Sequence, residues 1–111
     1  MNIKSLLDNY IFHDSLVEKI EYDANKKEVV INIDFCAWMQ EDYNDDLPET
    51  KNIKVIFMNV IEFDGLTGDV DDFSILDVSY SNGIVVISML DDFHDKYYEV
   101  RITADTVTLL D

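Results

Sequence analysis

Leu76-Asp77-Val78-Ser79-Tyr80-Ser81-Asn82-Gly83-Ile84-Val85-Val86-Ile87-Ser88-Met89 is the stretch that decides the fold. Asn82-Gly83 is the strongest hairpin signal in the chain, because both residues tolerate the positive φ of a type I′ turn. Closing a hairpin on it pairs Tyr80 with Val85, Val78 with Ile87 and Leu76 with Met89, all on one face. Outward from there, a turn centred on Phe93-His94 pairs Met89 with Tyr98, Ile87 with Val100 and Val85 with Ile102, and sets Asp91 opposite Lys96. A last turn at Ala104-Asp105 would pair Ile102 with Val107 and Val100 with Leu109. Each turn keeps the same residues facing inward, and that agreement between levels is stronger than any single propensity.

The N-terminal half follows the same rule. Over 28–36, Val29, Ile31, Ile33 and Phe35 share one face and Asn32 and Asp34 the other, the period of a half-buried strand. Before it, Leu16, Ile20 and Tyr22 oppose Lys19, Glu21 and Asp23. A four-residue loop at 24–27 sets Tyr22 against Val29 and Ile20 against Ile31, and a slip of one residue would destroy the match. Residues 3–10 suit one or two helical turns, with Leu6, Leu7 and Tyr10 to bury. The stretch 52–63 is apolar on both faces, which predicts a strand inside the sheet with the N-terminal helix as its cover. The expectation is a single mainly β domain over residues 1–111, with α+β content only at the margin. Its core is an antiparallel meander of about seven strands, a curled sheet or a sandwich, with a short helix. Irregular stretches are expected at 37–51 and 64–72, with the single Pro48 in the first, where a missing N–H harms no ladder.

Charge bounds the function. With 24 Asp plus Glu against 8 Lys plus Arg, the formal net charge is -16 on 111 residues. Such a surface repels nucleic acid and anionic membrane and attracts basic proteins or cations. A hydrophobic share of 48% separates it from a disordered acidic tail. The single Cys36 excludes an internal disulfide. The opening residues turn polar too soon for a signal peptide, and no apolar run approaches the roughly 20 residues that cross a bilayer. These features predict a cytoplasmic protein with no nucleic-acid or membrane partner.

Three groups of residues could carry function. Trp38, Met39, Glu41, Asp42, Tyr43, Asp45 and Asp46 join the only Trp, a Met and a Tyr to carboxylates. Aromatic and Met anchors among acids that steer encounter are what an interface with a basic protein requires. The competing reading buries Trp38 in the core under an ordinary charged loop. Phe-His-Asp occurs twice, and His13, Asp14, His94 and Asp95 could together ligate the metal of a hydrolase. In the HD phosphohydrolases, however, that pair sits in a helical bundle, and here a junction and a hairpin tip are the plainer settings. Asp64, Asp69, Asp71 and Asp72 gather with two glycines, a composition that fits a calcium loop. The spacing departs from an EF-hand, because counting from Asp69 places Ser74 at the turn glycine and Tyr80 at the bidentate Glu. Cys36 has no orienting His and reads as a buried structural thiol. No nucleophile–base pair, phosphate loop or cofactor motif is present, so no enzyme and no cofactor are expected.

The segment Phe12-His13-Asp14-Ser15-Leu16-Val17-Glu18-Lys19-Ile20-Glu21-Tyr22-Asp23, followed by an alternating strand, resembles the opening of a group of small uncharacterised bacterial proteins. These share a His-Asp-Ser or His-Asp-Ala start, and some are grouped with immunity proteins of toxin systems. The resemblance covers roughly the first third of the chain. It implies a β-rich binding protein that acts without catalysis, blocking a basic partner such as a toxin.

Overall fold

The central hairpin closes in the expected register in the computed structural model, which describes residues 2–110 except the side chain of Asp71. Asn82 and Gly83 take φ of 53° and 81°. Strands β5 (Gly68–Ser81) and β6 (Ile84–Asp91) pair Tyr80 with Val85 and Val78 with Ile87. Strand β7 (Lys96–Thr103) continues the meander, with Met89 opposite Tyr98, Ile87 opposite Val100 and Asp91 opposite Lys96. Strands β1 (Leu16–Asp23) and β2 (Glu28–Cys36) pair Tyr22 with Val29 and Ile20 with Ile31. Among the described residues, strands β3 (Thr50–Met58), β4 (Glu62–Asp64) and β8 (Thr106–Leu110) complete one antiparallel sheet of eight strands, in the order β4-β7-β6-β5-β1-β2-β3-β8.

Two bulges correct the expected faces. β5 shifts register between Ile75 and Asp77, so Ile75, not Leu76, lies opposite Met89. β1 shifts between Val17 and Lys19, so Val17 enters the core and Leu16 is only partly covered. An extra residue on one strand reverses the inward and outward alternation beyond it.

The turn at Ala104-Asp105 is a corner, not a hairpin. β7 gives its outer edge to β4, pairing Ile102 with Phe63, while β8 crosses to the free edge of β3 and pairs Val107 with Phe57. The N–H of Ala104 donates to Gly83 O and that of Asp105 to Met58 O, both at 3.3 Å. The two ends of the sheet meet at this corner, so the sheet is curled. Ile102 and Val107 are both fully buried. The corner preserves the parity of the side chains while changing their neighbours.

The 52–63 stretch is shorter as a strand than its composition suggests. β3 stops at Met58, Asn59 takes φ 56°, and the chain re-enters the sheet as β4. Ile53, Val55 and Phe57 face the core, whereas Ile56 and Met58 lie on the outer face, partly exposed. Helix α1 (Ile3–Asn9), N-capped by Asn2 accepting from the N–H of Ser5, buries Ile3 and Leu6 and packs mainly on β5 and β8. It therefore covers the concave interior and leaves the outer face of β3 open. Burial of each aliphatic side chain there contributes about 1.5–3 kcal/mol before chain entropy is subtracted.

Candidate protein-binding site

The segment between β2 and β3 is anchored at its root to residues 11–15. Ser15 is fully buried, and its Oγ accepts the N–H of Cys36 at 2.9 Å. The Cys36 thiol in turn donates to Asp14 O at 3.2 Å. Burial pushes this thiol up from its ordinary value, against the Ser15 hydrogen bond and aided by the charges of Asp14 and Asp34. A protonated, buried thiol is a weak nucleophile and a sound packing element.

A single 3₁₀ turn (Ala37–Met39) follows, held by Trp38 N–H donating to Glu49 O at 3.1 Å. Gln40 then clamps Ile11 from both sides. Its Oε1 accepts the Ile11 N–H and its Nε2 donates to Ile11 O, each at 2.8 Å, while Nε2 also donates to Cys36 O at 3.0 Å. Further along, Asn44 organises the chain, its O accepting from Leu47 N–H and its Oδ1 from Asp46 N–H.

On this framework Trp38 is 48% exposed and Leu47 45% exposed. Trp38 is thus not part of the core, because the 3₁₀ turn carries it out beyond the end of β2. Met39 and Tyr43 are partly buried, whereas Glu41, Asp42, Asp45 and Asp46 are exposed. No Lys or Arg occurs between Lys27 and Lys51. Two apolar residues that the sequence reading missed lie near the same root. Ile11 is exposed beside the Gln40 clamp, and Leu76 is exposed by the β5 bulge. They line a cleft of about 220 Å³ with Tyr10, His13 and Asp77. Neither a bulge nor a side-chain clamp leaves a periodic signature, so no alternation pattern would have exposed them.

The two histidines do separate jobs. His13 Nδ1–H donates to Leu76 O at 2.9 Å, and its Nε2 lies 3.4 Å from Asp14. His94 Nδ1–H donates to Asp91 Oδ2 at 2.7 Å and lines a different cleft of about 310 Å³ with Asp69, Lys96 and Tyr98. Asp14 and Asp95 both take positive φ, 66° and 53°. The repeated Phe-His-Asp thus places its Asp where a short polar side chain tolerates the left-handed conformation. Burial works to raise the carboxyl of Asp91, but hydrogen bonds from the His94 ring and from the His94 and Phe93 N–H groups hold it below its ordinary value.

The acidic stretch 64–72 is not one loop. Asp64 lies on β4 opposite Arg101, and Asp69 lies on β5 opposite Lys19. Asp72 takes φ 50° in the bulge between the Lys19–Asp69 and Val17–Phe73 pairs of β1 and β5, and the side chain of Asp71 lies outside the described residues. Glu21 and, more weakly, Asp69 raise Lys19 above its ordinary value. Among the described residues no group of three or more His, Cys, Asp or Glu could hold a metal ion, and no helix is long and apolar enough to cross a membrane. In comparisons with known proteins, the chain matches no family model, no curated protein and no solved structure.

Proposed function

We propose that the protein is a non-catalytic acidic binding protein of the cytoplasm that docks on a basic protein and neutralises it, as an immunity protein of a bacterial toxin system would. The observation that carries this reading is the half-exposed Trp38 on a segment that is fixed at its root and also carries the exposed Glu41, Asp42, Asp45 and Asp46. A large ring on a restrained backbone loses little entropy on binding, which is why such residues serve as interface anchors. The carboxylates around it speed encounter with a cationic surface and pair with Arg or Lys at the rim. Ile11, held by the Gln40 clamp, and Leu47, on the same segment as Trp38, are each nearly half exposed and offer further apolar contact area.

The test is affinity capture from a lysate of the source cells at about 0.05 M and about 0.5 M salt, followed by calorimetry on the partner. A cationic protein should be recovered, and more weakly at high salt. Trp38→Ala should then cost at least ~2 kcal/mol, roughly 30-fold in Kd. Recovery of only neutral or acidic proteins, indifferent to salt, would refute the proposal.

A further inference from the structure

We infer that the turn between β6 and β7, residues 91–96, is a second docking element whose Phe93 enters an apolar pocket rimmed by Arg or Lys on the basic partner. The inference rests on the proposed function and adds an anchor the 37–49 segment does not contain.

Phe93 is 88% exposed, the most exposed large apolar side chain among the described residues. The turn itself does not need it. The β1–β2 turn is built on the same plan, with Asp23 Oδ1 accepting from the N–H of Asn25 and Lys26 at 3.0 and 3.1 Å and Lys27 at φ 57°. In the β6–β7 turn Asp91 Oδ1 accepts from the N–H of Phe93 and His94 at 3.1 and 3.2 Å, and Asp95 stands at φ 53°. Phe93 therefore occupies the place where the other turn carries Asn25. Turn chemistry favours small polar residues at such positions, so an aromatic ring there adds nothing to folding.

The turn that carries the ring is tied down. Asp91, itself 4% exposed, holds His94 through the 2.7 Å ring hydrogen bond, and the His94 ring meets Phe93 edge-on with centroids 4.9 Å apart at 77°. An anchor on a backbone held in place before contact, as Asp91 holds the N–H groups of Phe93 and His94, forfeits less entropy when it is buried. Exposed Asp92 and Asp95 flank it, the former accepting from Ser74 Oγ at 2.8 Å, and Lys96 is the one cation of the turn, opposite Asp91. An exposed ring could also stack on a base or enter a lipid headgroup region, but these carboxylates and a net charge of -16 oppose phosphate, anionic lipid and a second copy of the chain. What remains is a cationic protein surface with a place for a phenyl ring.

The experiment uses the full chain and the basic partner recovered by capture, with calorimetry on the wild type, Phe93→Ala, Trp38→Ala and Ile61→Ala. Ile61 is 81% exposed on the β3–β4 connection and serves as the control. Phe93→Ala should weaken binding roughly tenfold or more while leaving the thermal melt unchanged, and Ile61→Ala should change it less than about twofold. Unchanged affinity for Phe93→Ala with weakening by Trp38→Ala overturns this inference and leaves the proposed function standing. If neither variant weakens binding, both fall. If capture recovers no protein at all, photo-crosslinking from p-benzoylphenylalanine in place of Phe93 decides the matter. An adduct on an Arg- or Lys-rich peptide, absent when the probe replaces Ile61, supports the inference, and no adduct or the same adducts from both positions overturns it.

Discussion

Asp91 concentrates the residue-scale chemistry of the chain: one buried carboxylate closes a turn, holds a histidine and pairs across the ladder with Lys96. Because its folded pKa is depressed, its contribution to stability is present above the unfolded carboxyl value of about 3.9 and is lost as pH falls through the lower folded value. Asp91→Asn should therefore lower the melting temperature at neutral pH, and the gap to the wild type should close below about pH 4. Melting curves of both proteins from neutral pH downward check this, and a gap that persists undiminished into strong acid would sink the linkage. Residue-scale roles were unevenly legible. Asp91 opposite Lys96 followed from register alone, and a packed Cys36 followed from the lack of a partner His. The exposure of Trp38 did not, because a 3₁₀ turn after β2 rather than composition sets where the ring points. The Gln40 clamp on Ile11 joins residues 29 positions apart, beyond the reach of any local pattern.

Elements whose pairing is local were readable, and those whose pairing is distant were not. The Asn82-Gly83 hairpin fixes its own register, since φ of 53° and 81° suits two residues with little or no steric objection. A Cβ at Gly83 would meet no atom within 4 Å, so Gly83→Ala tests the backbone term alone. It should destabilise by about 1–2 kcal/mol, read as a lower urea midpoint with an unchanged slope. No loss at all would mean the turn adopts another conformation. The same locality explains why β1–β2 and β6–β7 matched expectation while β8 did not. Alternation states which residues face inward, and Ile102 and Val107 do, but it does not state which strand lies alongside. That choice depended on β4 occupying the edge of β7, and β4 is three residues long with only Phe63 to signal it. The bulges at Glu18 and Leu76 were hidden for a related reason. Each lies at or next to two adjacent apolar residues that could fill the core equally well, Leu16 or Val17 and Ile75 or Leu76, so the pattern reads as regular with either choice.

At the scale of the whole molecule the excess of acid remains to be explained, because 24 carboxylate-bearing residues meet only 8 Lys and Arg. Lys19–Glu21 and Arg101–Glu99 are ion pairs between two side chains at the surface. Exposed pairs of this kind contribute little, about 0–1 kcal/mol. Repulsion spread over a globule with a radius of gyration of 13.5 Å should therefore dominate its electrostatics. Salt shortens the screening length from about 10 Å at 0.1 M to about 3 Å at 1 M, which relieves that repulsion. The melting temperature should accordingly rise by several degrees between about 0.02 M and about 0.5 M NaCl. Binding to a basic partner should change in the opposite direction, because the same ions screen an attraction between molecules. If the charge served solubility alone, salt would raise the melting temperature and leave no affinity to weaken. If it serves recognition, the folded protein becomes more stable under the conditions in which its complex becomes weaker. Scanning calorimetry of the free protein beside titration calorimetry of the complex, over one salt series, separates the two. A melting temperature that falls with salt would show that like-charge repulsion does not govern this surface, and an affinity that rises with salt would rule out a cationic partner.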